Sequence, residues 1–499
     1  MTARLLIGVD IGTQGTKAAL FDSGGRCLAR ALVKSRLHQP APGVVEEDPE
    51  RQVTSVCATI AQCLKSAKAD AGRVAGIGIA GQMAGVIGVG KDGRAVTPYD
   101  SWLDTRCAPY IEQMQNAAGP EITRKAGGPP SFNHGPKILR WKREFPRVFK
   151  RIASFVQPGG YAVMRLCGLD GARAFIDTSY LHFSGFADNR KNRWDTALCA
   201  RFALDPAQLP AIVDSHAVAG ELTAAMAPKC GLKPGVPVIA GCGDTAASFL
   251  ACGATREGIC VDVAGTASVF AATTTDFRAD VRAGVLGCGR AATPGLWHPY
   301  AYINGGGMNL EWFRREFGNG LNFAALNRLA AKIAPDASDP LFIPHLAGRV
   351  SPGWPRLRGA WAGLTWAHSV GHLYRAILEG VALEYRLYKD ALMALYPRLK
   401  VRELRVTGGG EKSAVWNVIK ADTLNCRVVQ IAASEGAPMG AALLAGFGVG
   451  LLADLDKAAS QWIQTGTATS PNRRHARLYE ARYRRYVDLL EKLNEWSAK

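Results

Sequence analysis

Short apolar runs that end in glycine-rich turns recur along the chain, and they predict strands that lead into loops. Residues 5–10 form the first run, a turn through Gly12 and Thr13 follows, and residues 17–22 return as a second apolar stretch. This pattern predicts a β-hairpin. Residues 74–80 alternate glycine with valine, alanine and isoleucine before another glycine turn, which predicts a compact strand. Ligands of α/β proteins bind where strands end, so these turns are candidate sites.

A similar arrangement recurs near the middle of the chain. Residues 236–240 predict a strand that ends in a turn, and residues 259–264 predict a new strand that runs into a glycine and a threonine. The stretch 261–266 resembles the stretch 9–13 with one residue inserted. This similarity predicts an internal duplication of an α/β domain. Coincidence between two valine-rich strands is the alternative.

Two further segments combine a turn with a predicted helix. Gly408, Gly409 and Gly410 follow a predicted strand and precede helical sequence at 416–424, and a turn at 304–308 precedes another helix. A glycine turn in this position is at least a helix N-terminus. Its bare N–H groups also let a nucleotide phosphate or adenosine approach closely, and the helix dipole favours negative charge.

Two stretches near the C-terminus are predicted to serve packing. One is an amphipathic helix with apolar residues spaced by three and four, at Tyr479, Tyr483, Tyr486, Leu490 and Leu493. The other, residues 436–453, is uncharged and about long enough to span a bilayer, but it contains Pro438 and five glycines. We interpret it as a buried helix and turn rather than as a membrane span.

Length and composition are those of an ordinary globular enzyme. The 499 residues exceed the usual size of one hydrophobic core, so at least two domains are expected. The chain is 48% hydrophobic and 20% charged, which excludes a disordered or fibrous protein. Its 12 cysteines include no CxxC pair, so neither a zinc site nor a disulfide framework is predicted, and a reducing cytoplasm is the expected location. Asp10 interrupts the first apolar run too early for a secretory signal.

The formal net charge of +18 raises the question of nucleic-acid binding. Lysine and arginine are spread along the whole chain, and no RRM, KH or zinc-finger pattern accompanies them. We therefore expect a basic, solvated surface that attracts an anionic nucleotide, without specific binding of nucleic acid.

Asp10 is the first candidate for chemistry. The chain has neither a GxxxxGK[ST] loop nor a strand–GxGxxG–helix unit, so separate turns must hold any phosphate, together with a carboxylate for Mg²⁺ and a base beside the accepting hydroxyl. Asp10 lies where an apolar strand meets a glycine turn, and an unpaired carboxylate is costly there. A magnesium ion would satisfy it through its water shell. A cap of the turn is the alternative role.

Asp244 and the segment 101–106 are the other candidates. Asp244 ends a predicted strand among glycines and alanines, where its carboxylate can accept the proton of a hydroxyl or serve as a helix N-cap. Trp102, Asp104 and Arg106 lie in one short stretch. An aromatic ring over a carbon skeleton with charged groups on hydroxyls suits a polyol, and a surface tryptophan beside an ordinary ion pair is the alternative.

Taken together, these pieces resemble the FGGY carbohydrate kinases from about residue 5 to residue 450. The most specific part of the resemblance is Phe342, Pro344, Leu346, Gly348, Arg349, Pro352, Arg358, Gly359, Gly363, Leu364, Thr365, His368, Leu373, Arg375, Glu379 and Gly380. The resemblance implies an α/β fold of two actin-like ATPase (ribonuclease H-like) domains that flank an ATP and sugar cleft. Residues 1–247 would form the sugar-binding domain and residues 248–499 the nucleotide-binding domain, with the last helix free to pack back on the first domain.

The resemblance also implies roles for particular residues. Asp10 would bind the metal, Gly12 and Thr13 the phosphates, and Asp244 would be the general base and contact the sugar. Nucleotide binding is implied for Gly265, Thr266, Gly306, Gly409 and Gly410. Sugar binding is implied for Gln82, Met83, Trp102, Asp104 and Arg106. The expected cofactors are ATP and Mg²⁺.

Within the family, Gln82 and Met83 with the 101–106 segment are most similar to the xylulokinases, so phosphorylation of D-xylulose to D-xylulose 5-phosphate is the leading expectation. Two positions depart from that group, because Ala84 replaces its histidine and Thr245 replaces its asparagine. Another acceptor, such as ribulose, another ketose or a glycerol-like polyol, therefore stays open.

A function from another class also stays open. An actin-like nucleotide switch that binds a partner protein would use the same phosphate turns but would need no sugar pocket. For the kinase, the expected partners are the small molecules sugar and ATP, with no specific nucleic acid and no membrane. The oligomeric state is not determined by the sequence, and a homodimer is one option.

Overall fold

The computed structural model describes residues 4–433 and 435–498. The strands of the first domain are β1 (Leu5–Gly12), β2 (Gly15–Asp22), β3 (Cys27–Lys34), β4 (Glu46–Glu47), β5 (Val74–Gly81), β6 (Ile87–Val89), β7 (Tyr99–Asp100), β8 (Ser154–Val156), β9 (Phe175–Asp177), β10 (Ala187–Asp188), β11 (Arg193–Trp194), β12 (Ala211–Val213), β13 (Val218–Glu221), β14 (Pro237–Ile239) and β15 (Cys242–Gly243). Its helices are α1 (Pro49–Ala67), α2 (Ala108–Ala126), α3 (His134–Glu144), α4 (Pro146–Phe149), α5 (Pro158–Cys167), α6 (Thr196–Arg201), α7 (Ala227–Cys230) and α8 (Asp244–Ala251).

The second half of the chain has the same mixture of elements. Its strands are β16 (Ile259–Ala264), β17 (Ser268–Ala272), β18 (Gly287–Arg290), β19 (Trp297–Ile303), β20 (Leu341–Ile343), β21 (Arg349–Val350), β22 (Gly353–Trp354), β23 (Ala360–Ala362), β24 (Glu403–Gly408), β25 (Arg427–Ala433) and β26 (Gln464–Thr469). Its helices are α9 (Gly306–Phe317), α10 (Phe323–Ala331), α11 (Val370–Leu395), α12 (Ala414–Leu424), α13 (Ala437–Gly448), α14 (Leu455–Trp462) and α15 (Arg473–Ala498).

The two large sheets share one strand arrangement. The first runs β13–β14–β5–β1–β2–β3, and the second, written from its corresponding edge, runs β26–β25–β24–β16–β17–β19–β18. In each, a central strand pairs with its antiparallel hairpin partner on one side and with a parallel strand on the other, β1 with β2 and β5, and β16 with β17 and β24. The predicted hairpin and the predicted central strands are confirmed, and the matching order agrees with a duplicated α/β domain.

The helix α13 joins the two halves, because it follows β25 in the chain yet packs on the first sheet. A Cβ atom on Gly8 would lie 1.7 Å from the carbonyl oxygen of Pro438, and one on Gly78 would lie 2.1 Å from that of Ala441. Glycine therefore brings the helix and sheet backbones into direct contact. The prediction of a buried helix within residues 436–453 is confirmed.

The helices α8 and α13 also cross at a glycine. A Cβ atom on Gly440 would lie 1.9 Å from the carbonyl oxygen of Ala247. The domain boundary expected from the sequence lies between Ala247 and Ser248, which is inside α8. The helix α8 is one of the two helices that contact each other here, between the two halves of the chain. In the described parts of the chain, no helix combines the length and apolar character needed to cross a membrane.

The terminal helix α15 packs on the second domain, against α11, α12 and β20. Tyr479, Tyr486 and Leu490 are buried there, and the buried Arg482 donates a 2.6 Å hydrogen bond to Glu379. The expectation that the last helix packs back on the first domain is therefore wrong. The helix that returns to the first domain is α13, because its glycines and alanines allow the close approach that the large side chains of α15 do not.

We predict that Gly440→Ala destabilises the fold. The added methyl group would meet a backbone carbonyl, which cannot rotate away, so the two helices must separate at a cost on the order of 1–3 kcal/mol. Gly159→Ala is the matched control, because Gly159 is also helical and buried but its nearest neighbouring atom would be 3.5 Å away. Chemical denaturation measures both variants, and a wild-type midpoint for Gly440→Ala would contradict the close packing.

Candidate active site

A cavity of about 270 Å³ opens between the two halves of the chain. The hairpin β1–β2, the start of α8, the hairpin β16–β17 and the start of α13 contribute to its wall. The lining residues are Asp10, Lys17, Asp244, Thr245, Ser248, Val263, Val269, Glu435, Gly436, Ala437 and Pro438. The two aspartates that the sequence identified as candidates therefore face one space.

Asp10 lies near the end of β1 and is largely buried. Its Oδ1 atom is buried and has no hydrogen-bond partner among the described residues, so the contacts do not support a role as a turn cap. Burial, followed by the nearby charge of Asp244, raises the pKa of Asp10 to about 7, and Lys17 opposes the shift. An unsatisfied buried carboxylate is costly, so a cation or a ligand donor is the group that would stabilise it.

Asp244 is the first residue of α8. Its Oδ1 atom accepts hydrogen bonds from the backbone N–H of Thr245 at 2.6 Å and from the hydroxyl of Thr245 at 3.1 Å. Burial raises the pKa of Asp244 to about 6, and the Thr245 donors and Lys17 oppose the rise. The N-cap position belongs to Gly243, so the alternative role of Asp244 as N-cap is wrong. Among the described contacts none engages Oδ2, which can accept from a ligand.

Lys17 is a site residue that the sequence analysis missed. It pairs with Asp10 across the hairpin and lines the cavity, and no salt bridge engages its ammonium group among the described residues. The sequence did contain the information needed to find Lys17, because the antiparallel register of the predicted hairpin brings it beside Asp10. Its charge is available to an anionic ligand.

Two helices begin at the cavity, α8 at Asp244 and α13 at Ala437. The first turn of a helix carries N–H groups without a partner inside the helix, and its dipole favours negative charge. Beside Lys17, these helix starts make the cavity suitable for phosphate groups. The start of α13 was missed because residues 436–453 indicated only packing.

Thr13, Gln82 and Trp102 form one connected set. The Nε1 of Trp102 donates to the hydroxyl of Thr13 at 2.9 Å, and that hydroxyl donates to the Oε1 of Gln82 at 3.4 Å. The Nε2 of Gln82 is buried without a partner among the described residues, so it can donate to a ligand. Trp102 keeps 44% of its surface exposed. The structure thus brings together the turn that follows Gly12, the turn after β5 and the 101–106 segment.

Met83 packs against Gly243, the residue that precedes Asp244. A Cβ atom on Gly243 would lie 1.9 Å from the sulfur of Met83. The Met83 carbonyl lies 2.7 Å from the Nε2 of His134, and because a carbonyl only accepts, Nε2 carries the proton. Burial lowers the pKa of His134 to about 4, which keeps the ring neutral. His134 is a second residue that the sequence analysis missed. Its hydrogen bond holds the backbone of the turn at Met83.

Asp104 and Arg106 are engaged with each other. Asp104 is buried, and its carboxylate accepts from the backbone N–H of Val45 at 2.8 Å and from the Nε of Arg106 at 2.8 Å. Arg106 also pairs with Glu46. These contacts hold the loop against the first domain. In this structure the charged groups of both residues already have protein partners. That Asp104 and Arg106 also bind sugar hydroxyls stays a prediction.

A buried lysine fixes the same loop from the other side. The ammonium group of Lys137 donates to the carboxylate of Asp100 at 3.0 Å and to the carbonyl oxygens of Ser101 and Asp104 at 2.7 and 3.1 Å. All three of its donors are used. The loop that presents Trp102 is therefore rigidly supported, by a residue that no local sequence pattern identifies.

The glycines assigned to nucleotide binding lie together in the second domain. A Cβ atom on Gly307 would lie 2.3 Å from the carbonyl oxygen of Gly265, and one on Gly410 would lie 2.5 Å from the Cβ of Ala264. Gly265 and Thr266 are exposed, and a Cβ atom on Gly409 would meet no atom within 4 Å. Gly306 itself is buried against Ser268. The three turns thus form one surface at the ends of β16 and β24.

Two family descriptions match most of the chain. The N-terminal domain of the FGGY family of carbohydrate kinases matches residues 5–251, and its C-terminal domain matches residues 260–449. The chain belongs to the FGGY family of carbohydrate kinases. It is accordingly a kinase that transfers phosphate to a carbohydrate, and membership implies ATP as the donor. The two-domain, actin-like α/β fold expected from the resemblance is confirmed.

Individual relatives extend over the same length. The chain is 26% identical to a xylulose kinase of Bacillus subtilis over 97% of this chain and 96% of that protein. It is 26% identical to a gluconokinase of Bacillus subtilis over 90% of this chain and 89% of that protein. The crystal structure of a xylulose kinase from Rhodospirillum rubrum superposes with a TM-score of 0.91 at 27% identity, covering 99% and 100% of the two chains. The family is thus shown, while relatives at equal identity differ in substrate.

The residues at the cavity are suited to a magnesium ion. Within residues 4–433 and 435–498, no three histidine, cysteine or carboxylate side chains cluster as a metal-binding group. Mg²⁺ needs no such cluster, because it is usually held by one or two carboxylates, water molecules and the phosphates of its nucleotide. The unsatisfied Oδ1 of Asp10 is the oxygen that would hold it.

We predict that Asp10→Asn stabilises the protein in the absence of nucleotide and metal. A carboxyl with a raised folded-state pKa stabilises the fold below its unfolded pKa of about 3.9, and this contribution is lost as pH rises through the folded value of about 7. The melting temperature should therefore rise by on the order of 2 °C near pH 8 and change little near pH 4. Scanning fluorimetry with EDTA measures it. An equal shift at both pH values would refute the assignment.

Proposed function

We propose that the protein transfers the γ-phosphoryl group of ATP to the terminal hydroxyl of a ketopentose, with D-xylulose to D-xylulose 5-phosphate as the leading reaction. The observation that carries this proposal is the pairing of Asp244 and Asp10 across one cavity, with Lys17 beside them. The xylulose kinases among the relatives support the choice of sugar.

Asp244 serves as the general base. Its Oδ2 accepts the hydrogen bond of the sugar hydroxyl and takes the proton as the bond to phosphorus forms. Thr245 holds Oδ1 through two donors, which orients the carboxylate and favours its ionised form. Burial keeps the pKa of Asp244 closer to neutrality than that of an exposed aspartate, which makes it a better proton acceptor.

Asp10, Lys17, Gly12 and Thr13 organise the phosphates. A bound Mg²⁺ ion would neutralise part of the negative charge of the phosphates. Asp10 would hold that ion through Oδ1, and Lys17 would place a positive charge beside the transferred group. The helices α8 and α13 both start at this cavity, so their dipoles would stabilise negative charge there without rearrangement.

The remaining residues hold the two substrates. We assign nucleotide binding to Gly265, Thr266, Gly409 and Gly410, which form an open surface, and we place Gly306 beneath it as support for the adjacent turn. We assign the sugar to Gln82, Met83 and Trp102. Asp104 and Arg106 would act mainly by holding the Trp102 loop.

The identity of the sugar depends on two small departures. Ala84 and Thr245 stand where the xylulokinases carry histidine and asparagine, and one relative of equal identity is a gluconokinase. A different ketose, a polyol or a sugar acid would thus use the same catalytic residues. The expectations of a cytoplasmic location and of an optional homodimer stay predictions.

A coupled assay of ADP release tests the reaction. The panel contains both enantiomers of xylulose, ribulose, gluconate and glycerol, each with ATP and Mg²⁺. We expect ADP formation that depends on sugar and is fastest with D-xylulose. An actin-like nucleotide switch would show none that depends on any of these acceptors, and a preference for gluconate would overturn the choice of a ketopentose while retaining the kinase.

The variant Asp244→Ala tests the base. We expect kcat to fall by on the order of 10² to 10⁴, because proton acceptance contributes about that much, while ATP still binds. Single-turnover kinetics and nucleotide titration separate the two effects. Asp170→Ala, at an exposed turn of the same domain, is the control and should keep kcat. Nearly normal turnover of Asp244→Ala would exclude Asp244 as the base.

A further inference from the structure

A buried 3-10 turn, Thr178–Phe183, packs against β15, the short strand that precedes Asp244. The carboxylate of Asp177 fixes its start by accepting hydrogen bonds from the backbone N–H of Ser179 at 2.9 Å and from the hydroxyl of Ser215 at 2.8 Å. Asp177, Ser179 and Ser215 are all buried. Water therefore does not compete for these bonds, and the turn is held in one position.

The turn contacts both segments that carry the proposed sugar site. The hydroxyl of Tyr180 donates to the carbonyl of Gly81 at 2.9 Å, and the carbonyl of Cys242 lies 3.4 Å from the same hydroxyl. The hydroxyl of Ser179 accepts from the backbone N–H of Gly243 at 2.9 Å. Gly81 immediately precedes Gln82, and Gly243 immediately precedes Asp244. One turn thus joins the two ends of the site.

The far side of the turn is held by the second domain. The ring of His182 packs edge-on against Tyr300 at 5.6 Å between ring centres. A Cβ atom on Gly289, in β18, would lie 2.6 Å from the His182 ring. The turn is therefore fixed at both ends, so that Tyr180 projects from a support that cannot easily shift.

We propose that the Tyr180 hydroxyl is a positioning group, which sets the distance between Gln82 and the base Asp244. The strands β5 and β15 pair through Ala80 with Cys242 and through Gly81 with Gly243, and the pairing ends there. The hydroxyl bridges them where the pairing ends. This inference rests on the proposed function, because the distance matters only if Gln82 and Asp244 hold the same sugar.

The variant Tyr180→Phe tests the proposal, since it removes the hydroxyl and keeps the ring. Small errors in the position of a reacting group reduce turnover strongly, so we expect kcat to fall about tenfold while the KM for ATP stays within about twofold. Tyr161→Phe is the matched control. Tyr161 is equally buried and donates its hydroxyl to Glu50 at 2.6 Å, away from the cavity, so it should lose comparable stability and keep kcat.

Hydrogen–deuterium exchange of the ligand-free protein provides a readout that does not depend on turnover. Tyr180→Phe should speed exchange in two separate segments, 81–84 and 242–246, and Ser179→Ala should speed it in 242–246 alone. Tyr161→Phe should change neither segment.

The two readouts distinguish failure of this inference from failure of the proposed function. Wild-type protein without sugar-dependent ADP formation would contradict the function, and the exchange data would then decide whether Tyr180 joins the two segments. With an active wild type, an unchanged kcat for Tyr180→Phe, or an equal loss in Tyr161→Phe, would overturn the positioning role. Unchanged exchange in both segments would overturn it in either case.

Discussion

Direct backbone contact between α13 and the first sheet is the constraint on which the site depends. Gly8 and Gly78 leave no side chain between the strands and the helix, and Gly440 allows α8 to cross the same helix. Interiors pack densely and are not easily deformed, so this contact fixes the helices to the sheet. Since both helices begin at the cavity, the same contact determines where Asp244 stands relative to Asp10.

The electrostatics of the cavity follow from that placement. Asp10 and Asp244 are held near each other, and Lys17 is the lysine that lines the cavity with them. The ligand-free protein therefore carries an unfavourable charge arrangement at its centre, as functional sites often do. Magnesium and phosphate would together replace this arrangement with a balanced one. Affinity for the nucleotide complex and instability of the empty site would then have one physical origin.

Local patterns predicted the strands and turns because each is encoded within a few residues, as in the hairpin that contains Asp10. They could not show which face of a sheet a residue occupies. Asp262 looks like the counterpart of Asp10, but the inserted residue turns it to the opposite face, where Tyr385 donates to it at 2.6 Å and Lys420 forms a buried salt bridge. Lys420 and Lys137 meet partners that are distant in sequence, and no periodicity indicates such contacts. The bond from the backbone N–H of Val45 to Asp104 was hidden for the same reason.

The position of α13 in the chain has a consequence for biosynthesis. Leu6, Phe21 and Ala80 of the first sheet share one apolar cluster with Ala441 and Leu444 of α13. The ribosome makes these helix residues only after most of the second domain, and domains otherwise tend to fold as they emerge. One face of the first sheet therefore remains exposed to solvent during much of synthesis. That interval is when a chaperone would have the most apolar surface to bind, and when a truncated chain would be most prone to aggregate.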